Sequence, residues 1–207
     1  MSLLIHGGTV VTMGSEGIIK NGAVVVEGDR IVDLGKRSDL ERKYSQGERI
    51  NAEGKVVIPG FINTHQHAAM SLLRGYADDY PLKEWLEKWI WPLERHMTGR
   101  DIYVGALLCA VESVLAGITT VNTMYHYMDG DNEAQAFADV GLRGVVGHVC
   151  FSWRKEEDKK ALWNLAKDWH GKCDGRIRAS VDPHAPYTVD PEYMKELRQE
   201  TKELNQR

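Results

Sequence analysis

Residues 56–69 read VVIPGFINTHQHAA: an apolar run, a Pro59-Gly60 break, a second short apolar piece, then His65-Gln66-His67. Side chains at i and i+2 of a β-strand point to one face, so His65 and His67 project together while Gln66 turns away. Neutral imidazole nitrogen is a preferred ligand of zinc and its neighbours. Two imidazoles on one strand face, just past a buried run, are placed to share one metal ion. Taken alone, His-x-His is equally what two ordinary strand-end histidines look like, so the weight falls on what surrounds it.

Downstream of that stretch the chain alternates strand and helix. Pro81 and LKEWLEKWIW (82–91) read as a helix stopped by Pro92. Thr98 and Asp101 form a capping-box signature for a second helix, rich in small residues and closed by Gly117. Strands are expected over 118–124, 143–150 and 177–181, and helices over 133–140 and 155–169. Asp190-Pro191 opens a last helix with Tyr193, Met194, Leu197, Thr201 and Leu204 along one side. Upstream, Gly28-Asp29 between two β-rich runs is a hairpin signal, and the first fifty or so residues read as a small all-β unit.

Four mostly apolar strands alternating with helices argue an α/β fold with a parallel sheet, either an open doubly wound sheet or part of a (β/α)8 barrel. There is no glycine-rich dinucleotide loop and no P-loop, which weighs against an open nucleotide-binding sheet. In a barrel, functional side chains sit at the C-terminal ends of strands. His65 and His67, His126, His148 and His184 all fall at or just past successive strand ends.

The totals narrow the class. The chain has 207 residues, 43% hydrophobic and 27% charged, with a formal net charge of -4. No dense Lys/Arg run points to nucleic acid or an anionic membrane, and no apolar run is long enough to span a bilayer. The three cysteines lack paired spacing, which fits reduced thiols in a cytoplasmic protein.

The segments PGFINTHQHAAMSLLRG, KEWLEKWIWPLE and DPHAPYTV resemble the amidohydrolase superfamily, nearest the 5'-methylthioadenosine and S-adenosylhomocysteine deaminases, relatives of chlorohydrolases and guanine deaminases. The resemblance covers essentially the whole chain. It implies residues 1–55 as the N-terminal part of a composite β-sandwich and residues 56–207 as the first half, about four βα units, of a metal-dependent (β/α)8 TIM-type barrel. It implies that His65 and His67 are metal ligands and that Glu94 and His184 face a purine nucleoside. Arg154 is loosely matched to a residue holding the distal end of a long substrate. His148 is a further candidate substrate contact.

In the family a third metal His and a proton-shuttling Glu lie in a His-x-x-Glu motif on the fifth strand, and a metal-binding Asp on the eighth. All three are expected beyond Arg207, so no catalytic proton shuttle is expected in this span. The implied reaction is deamination of an adenine nucleoside, hydroxide held by a divalent metal (zinc, or iron or nickel) adding to the ring carbon and ammonia leaving. The chain is expected to be the N-terminal half of a longer enzyme, inactive by itself and prone to homo-oligomerise through open sheet edges. A chlorohydrolase, guanine deaminase or binuclear cyclic amidase is the alternative within the superfamily, although the fourth strand carries no lysine to bridge two metals. A non-catalytic module that associates through its sheet edges is the alternative outside it. Trp85, Trp89 and Trp91 read as packing, Met70, Met124 and Met128 as gap-filling, and Cys109 as buried and inert.

Overall fold

A computed structural model describes residues 2–125 and 131–204, and the chain divides into two units, Met1–Gly60 and Phe61–Arg207.

In the first unit the buried positions of β1 (Ser2–Val11) alternate, as a half-buried strand requires. β1 pairs antiparallel with β2 (Ile18–Glu27), which pairs antiparallel with β3 (Arg30–Lys36). Glu27 and Arg30 face each other across Gly28-Asp29, where Gly28 supplies a φ of +60°. On its other side β1 runs parallel to β4 (Glu48–Asn51) and β5 (Val56–Val57). The sequence reading opens its second unit at Val56, but the pairing of Val56–Val57 with β1 keeps that piece with the first.

The unit is not all-β as expected. Helix α1 (Arg37–Lys43) closes over Leu4, Ala23 and Val25 with its one buried residue, Leu40. RSDLERK carries no apolar period, so the packing of Leu40 and ion pairs such as Arg37–Glu41 at 3.0 Å and Asp39–Arg42 at 2.9 Å hold the helix.

The second unit is built on four parallel strands, β6 (Phe61–Gln66), β7 (Ile118–Tyr125), β8 (Arg143–Cys150) and β9 (Ile177–Pro183), in that spatial order. The connections from β7 to β9 carry α5 (Asp131–Val140), then α6 (Lys155–Trp169) and a short α7 (Lys172–Gly175), and α8 (Pro191–Glu203) follows β9. Phe137 of α5 is fully buried with Val121, Val146, Leu165 and Ile177. Gly144 makes room for it, since a Cβ there would lie 2.6 Å from the Phe137 ring. Asp190 accepts from the Tyr193 amide and Pro191 opens α8, as expected. Along α8 Tyr193 and Leu197 are buried, but Met194 is exposed.

Between β6 and β7 the chain makes a 3-10 turn over Ala68–Leu73, then a three-part helical run: α2 (Leu82–Glu84), a π-helical stretch over Trp85–Ile90, and α3 (Trp91–Glu94). The helix does not stop at Pro92. The wide π turn shifts the hydrogen-bond register, so Pro92 falls in the first turn of α3, where its missing N–H is not needed. Helix α4 (Gly99–Leu115) starts with the predicted capping box. The Asp101 amide donates to Thr98 Oγ1 (3.3 Å) and the Thr98 amide to Asp101 Oδ2 (2.7 Å). Its small residues permit close approach: a Cβ on Gly105 would lie 2.2 Å from the Ala69 carbonyl oxygen. All six tryptophans fall in this second unit. Among the described residues no helix is long and apolar enough to cross a membrane.

Candidate active site

Because β6 to β9 are parallel, their C-terminal ends share one edge of the sheet. His65 is the penultimate residue of β6 and His67 follows the strand, His65 exposed and His67 half-buried. Gln66 points elsewhere, its Oε1 accepting from Asn63 Nδ2 at 2.7 Å. The two imidazole centroids are 5.1 Å apart and nearly perpendicular. Two imidazoles each about 2.1 Å from one tetrahedral cation have centroids about 5 Å apart, a spacing this pair shares.

His67 Nδ1–H donates to the Met124 carbonyl at 3.1 Å. A carbonyl can only accept, so this bond fixes the tautomer and leaves Nε2 with its lone pair. Burial, and then the neighbouring His65, hold the His67 imidazolium form down, partly countered by the Met124 bond. A neutral ring is the form that ligates. Two imidazoles are one short of the three protein ligands usual for catalytic zinc, and among the described residues no group of three His, Cys, Asp or Glu side chains is placed to hold a metal.

Glu94, at the end of α3, is 1% exposed and accepts from Tyr125 Oη at 2.8 Å. Burial pushes its carboxyl up to about 7, against the Tyr125 hydrogen bond, which lowers it. His184 follows β9. The Thr188 hydroxyl gives its proton to the Ala185 carbonyl (3.1 Å) and so accepts from His184 Nδ1–H (2.8 Å), leaving His184 Nε2 as an acceptor. Burial, and then His67, hold the His184 imidazolium form down, so these two rings sense each other. The His184 ring packs on Phe151 at 4.8 Å, and Phe151 stacks on Trp153 at 4.8 Å. Trp153, Tyr187 and Thr188, with Leu82, Lys83 and Trp91, line an open cleft of about 510 Å³ beside this loop.

His148 is buried, and its Nε2–H donates to Asp158 Oδ1 at 2.9 Å. Asp158, fully buried at the start of α6, also accepts from the Phe151 amide at 2.8 Å, and Arg154 Nε stands 3.5 Å from it. His148 and Arg154 therefore meet on one buried carboxylate. His126 and Met128 lie outside the described residues. Met124 takes part through its carbonyl, Met70 packs beside Met97 and Ile102, and Cys109 is half-buried with its thiol pushed up by burial. Trp89 packs on Tyr80, centroids 5.0 Å apart.

Several groups carry no sequence signal of their own. Glu133, fully buried in α5, accepts from the Ala69 amide (3.1 Å) and from Thr123 Oγ1 (3.3 Å), and burial pushes its carboxyl to about 7. Asp182, the first residue of the quoted DPHAPYTV segment though given no role there, is pushed to about 6 by burial against the lowering effects of Ser180, His148 and His65. Both read in sequence as ordinary solvated acids, and nothing in their spacing says otherwise.

Residues 56–207 match the Amidohydrolase family, and residues 22–44 match an imidazolonepropionase-like composite domain of bacteria. A 5-methylthioadenosine/S-adenosylhomocysteine deaminase from Pelotomaculum thermopropionicum is 41% identical over 202 residues, 95% of this chain and 46% of that protein. A 5'-deoxyadenosine deaminase from Methanosarcina acetivorans is 40% identical, covering 96% of this chain and 46% of that protein. The crystal structure of an adenosine deaminase from Xanthomonas campestris with bound zinc superposes with a TM-score of 0.83 at 29% identity, over 99% of this chain and 47% of that one. The chain thus spans about half the length of the relatives it matches.

Proposed function

Since this chain belongs to the amidohydrolase family, we propose that it forms the N-terminal half of a metal-dependent aminohydrolase acting on adenine nucleosides such as 5'-methylthioadenosine, S-adenosylhomocysteine or 5'-deoxyadenosine. The observation that carries this is the His65–His67 pair, centroids 5.1 Å apart, with His67 Nε2 freed by the Met124 carbonyl. In this reading β6 to β9 are the first half of a (β/α)8 barrel following part of a composite β-sandwich. The remaining metal ligands and the proton-shuttling Glu come from the part of the relatives that this chain does not span.

His65 and His67 would hold the divalent cation, zinc being the ion in the Xanthomonas relative. Such an ion would supply a nucleophile by bringing the pKa of water down toward about 7. The other roles belong to the chain itself. Glu94, poised at about 7, holds or releases a proton toward a nucleoside hydroxyl or ring nitrogen while Tyr125 fixes its other oxygen. His184 Nε2 accepts a donor from the substrate. Phe151, itself buried, shields the His184 ring that packs on it from water. His148, through Asp158, holds the Arg154 end of the site in place for the far end of a longer substrate. We place the protein in the cytoplasm and expect it to self-associate.

The test uses the longer gene product containing these residues. Metal content and ammonia release are measured on adenosine, 5'-methylthioadenosine and S-adenosylhomocysteine, for the wild type and for His67→Ala. The reading requires about one divalent ion per chain and turnover of at least one nucleoside, both lost in His67→Ala. Full turnover by a metal-free His67→Ala protein would end it, and no ammonia from any of the three would remove the nucleoside assignment.

A further inference from the structure

The two residues after His67 turn the chain from β6 into the 3-10 helix, and their amides point into the interior. Each is met by a side chain from a different element. The Ala68 amide donates to Thr123 Oγ1 on β7 at 3.0 Å. The Ala69 amide donates to Glu133 Oε1 on α5 at 3.1 Å, and the Thr123 hydroxyl donates to the same oxygen at 3.3 Å. From the far side Gly105 of α4 presses on the Ala69 carbonyl, with no room for even a methyl group. Thr123 immediately precedes Met124, whose carbonyl takes the His67 Nδ1 proton.

A fully buried carboxyl costs several kcal/mol unless hydrogen bonds offset it, and Glu133 Oε2 has no partner among the described residues. An acid in this place is a poor way to stabilise a helix start in an apolar core. It is a good way to bind one amide and one hydroxyl at a single point.

We propose that Glu133 is a positioning residue for His67: with Thr123 it locks the Ala68–Ala69 turn, and so keeps the His67 ring on the Met124 carbonyl with Nε2 unprotonated. The inference rests on reading His67 as a metal ligand for its purpose, but its test does not need metal. Neighbouring hydrogen bonds that orient a ligand commonly carry 10- to 100-fold in metal affinity, so the effect is large enough to read.

The experiment is two-bond ¹H–¹⁵N spectroscopy of the histidine rings in the ¹⁵N-labelled chain at pH 8, with amide hydrogen exchange at Ala68 and Ala69. Wild type and Glu133→Gln, whose amide oxygen still accepts, should show His67 as the Nδ1–H tautomer alone and slow exchange at Ala69. Glu133→Ala should show a mixture of both tautomers and at least tenfold faster Ala69 exchange. A pure Nδ1–H tautomer with near-wild-type exchange in Glu133→Ala overturns the proposal, as does a Glu133→Gln protein that behaves like Glu133→Ala. If Glu133→Ala does not fold, Thr123→Val decides, being of similar shape without the hydroxyl: it should speed Ala68 exchange and mix the His67 tautomers, and an unchanged tautomer refutes the lock. Zinc titration of the wild type separates the two readings. No zinc-induced shift at His67 Nε2 counts against the ligand role, while the tautomer result stands or falls separately.

Discussion

Glu94→Gln should flatten the pH dependence of stability. The wild-type carboxyl sits at about 7 in the folded protein, against an ordinary value of 4.5. Between those two pH values the folded state binds more protons at this group than the unfolded state does, so stability falls as pH rises. The contribution is fully present below about 4.5 and gone above about 7. A gap of about 2.5 pH units, at about 1.4 kcal/mol each, is about 3 kcal/mol. Gln carries no titrating proton, and its amide oxygen still accepts from Tyr125 Oη. The stability of Glu94→Gln relative to wild type should therefore grow by about 3 kcal/mol from pH 4.5 to pH 8. Urea unfolding followed by tryptophan fluorescence is the assay, since all six tryptophans report on the second unit. Glu133 and Asp182 are pushed the same way, but they are common to both proteins and cancel in the difference. A wild-type-to-variant difference that stays constant across this range would refute the claim that Glu94 is held as a buried acid.

Asp158→Ala removes the acceptor for His148 and the Phe151 amide inside the core and should cost about 3–5 kcal/mol in urea unfolding. Gly105→Ala should cost about 1–3 kcal/mol, with faster hydrogen exchange at Ala69, because its methyl would overlap the Ala69 carbonyl. Thr98→Ala breaks the capping box and should cost about 1 kcal/mol, with fluorescence-monitored unfolding as the check. Chelating the metal from the longer gene product should lower its thermal midpoint, by the equivalent of about 2.7 kcal/mol where zinc had been at a hundred times its Kd. The same treatment should leave a His65→Ala/His67→Ala protein unchanged.

What the sequence makes legible follows from where the information is local. Strand β8 and helix α6 fall where the pattern puts them, because VGHVC (146–150) is a continuous buried run and LWNLAKDW keeps a helical stripe. The capping box is a four-residue signal, and the structure contains it. His65 and His67 are readable because a strand's two-residue period places them without knowledge of the rest. Helix α1 hides because one leucine is its whole apolar face. The continuation through Pro92 hides because a π turn has no composition of its own. Glu133, Asp158 and Asp182 hide for a deeper reason. Whether a carboxyl faces water or a neighbouring backbone amide is decided by elements far away in the chain, and the letter is the same in both cases.

The widened turn over Trp85–Ile90 behaves as one extra residue threaded into a helix. Wound as ordinary α-helix with no residue removed, the same stretch would swing everything after it through about 100°. Glu94, now sealed against Tyr125, would be carried round toward the outside with its chemistry lost and its codon untouched. The acid's place is thus a matter of winding: how many residues that segment spends on each turn decides which side chain looks inward.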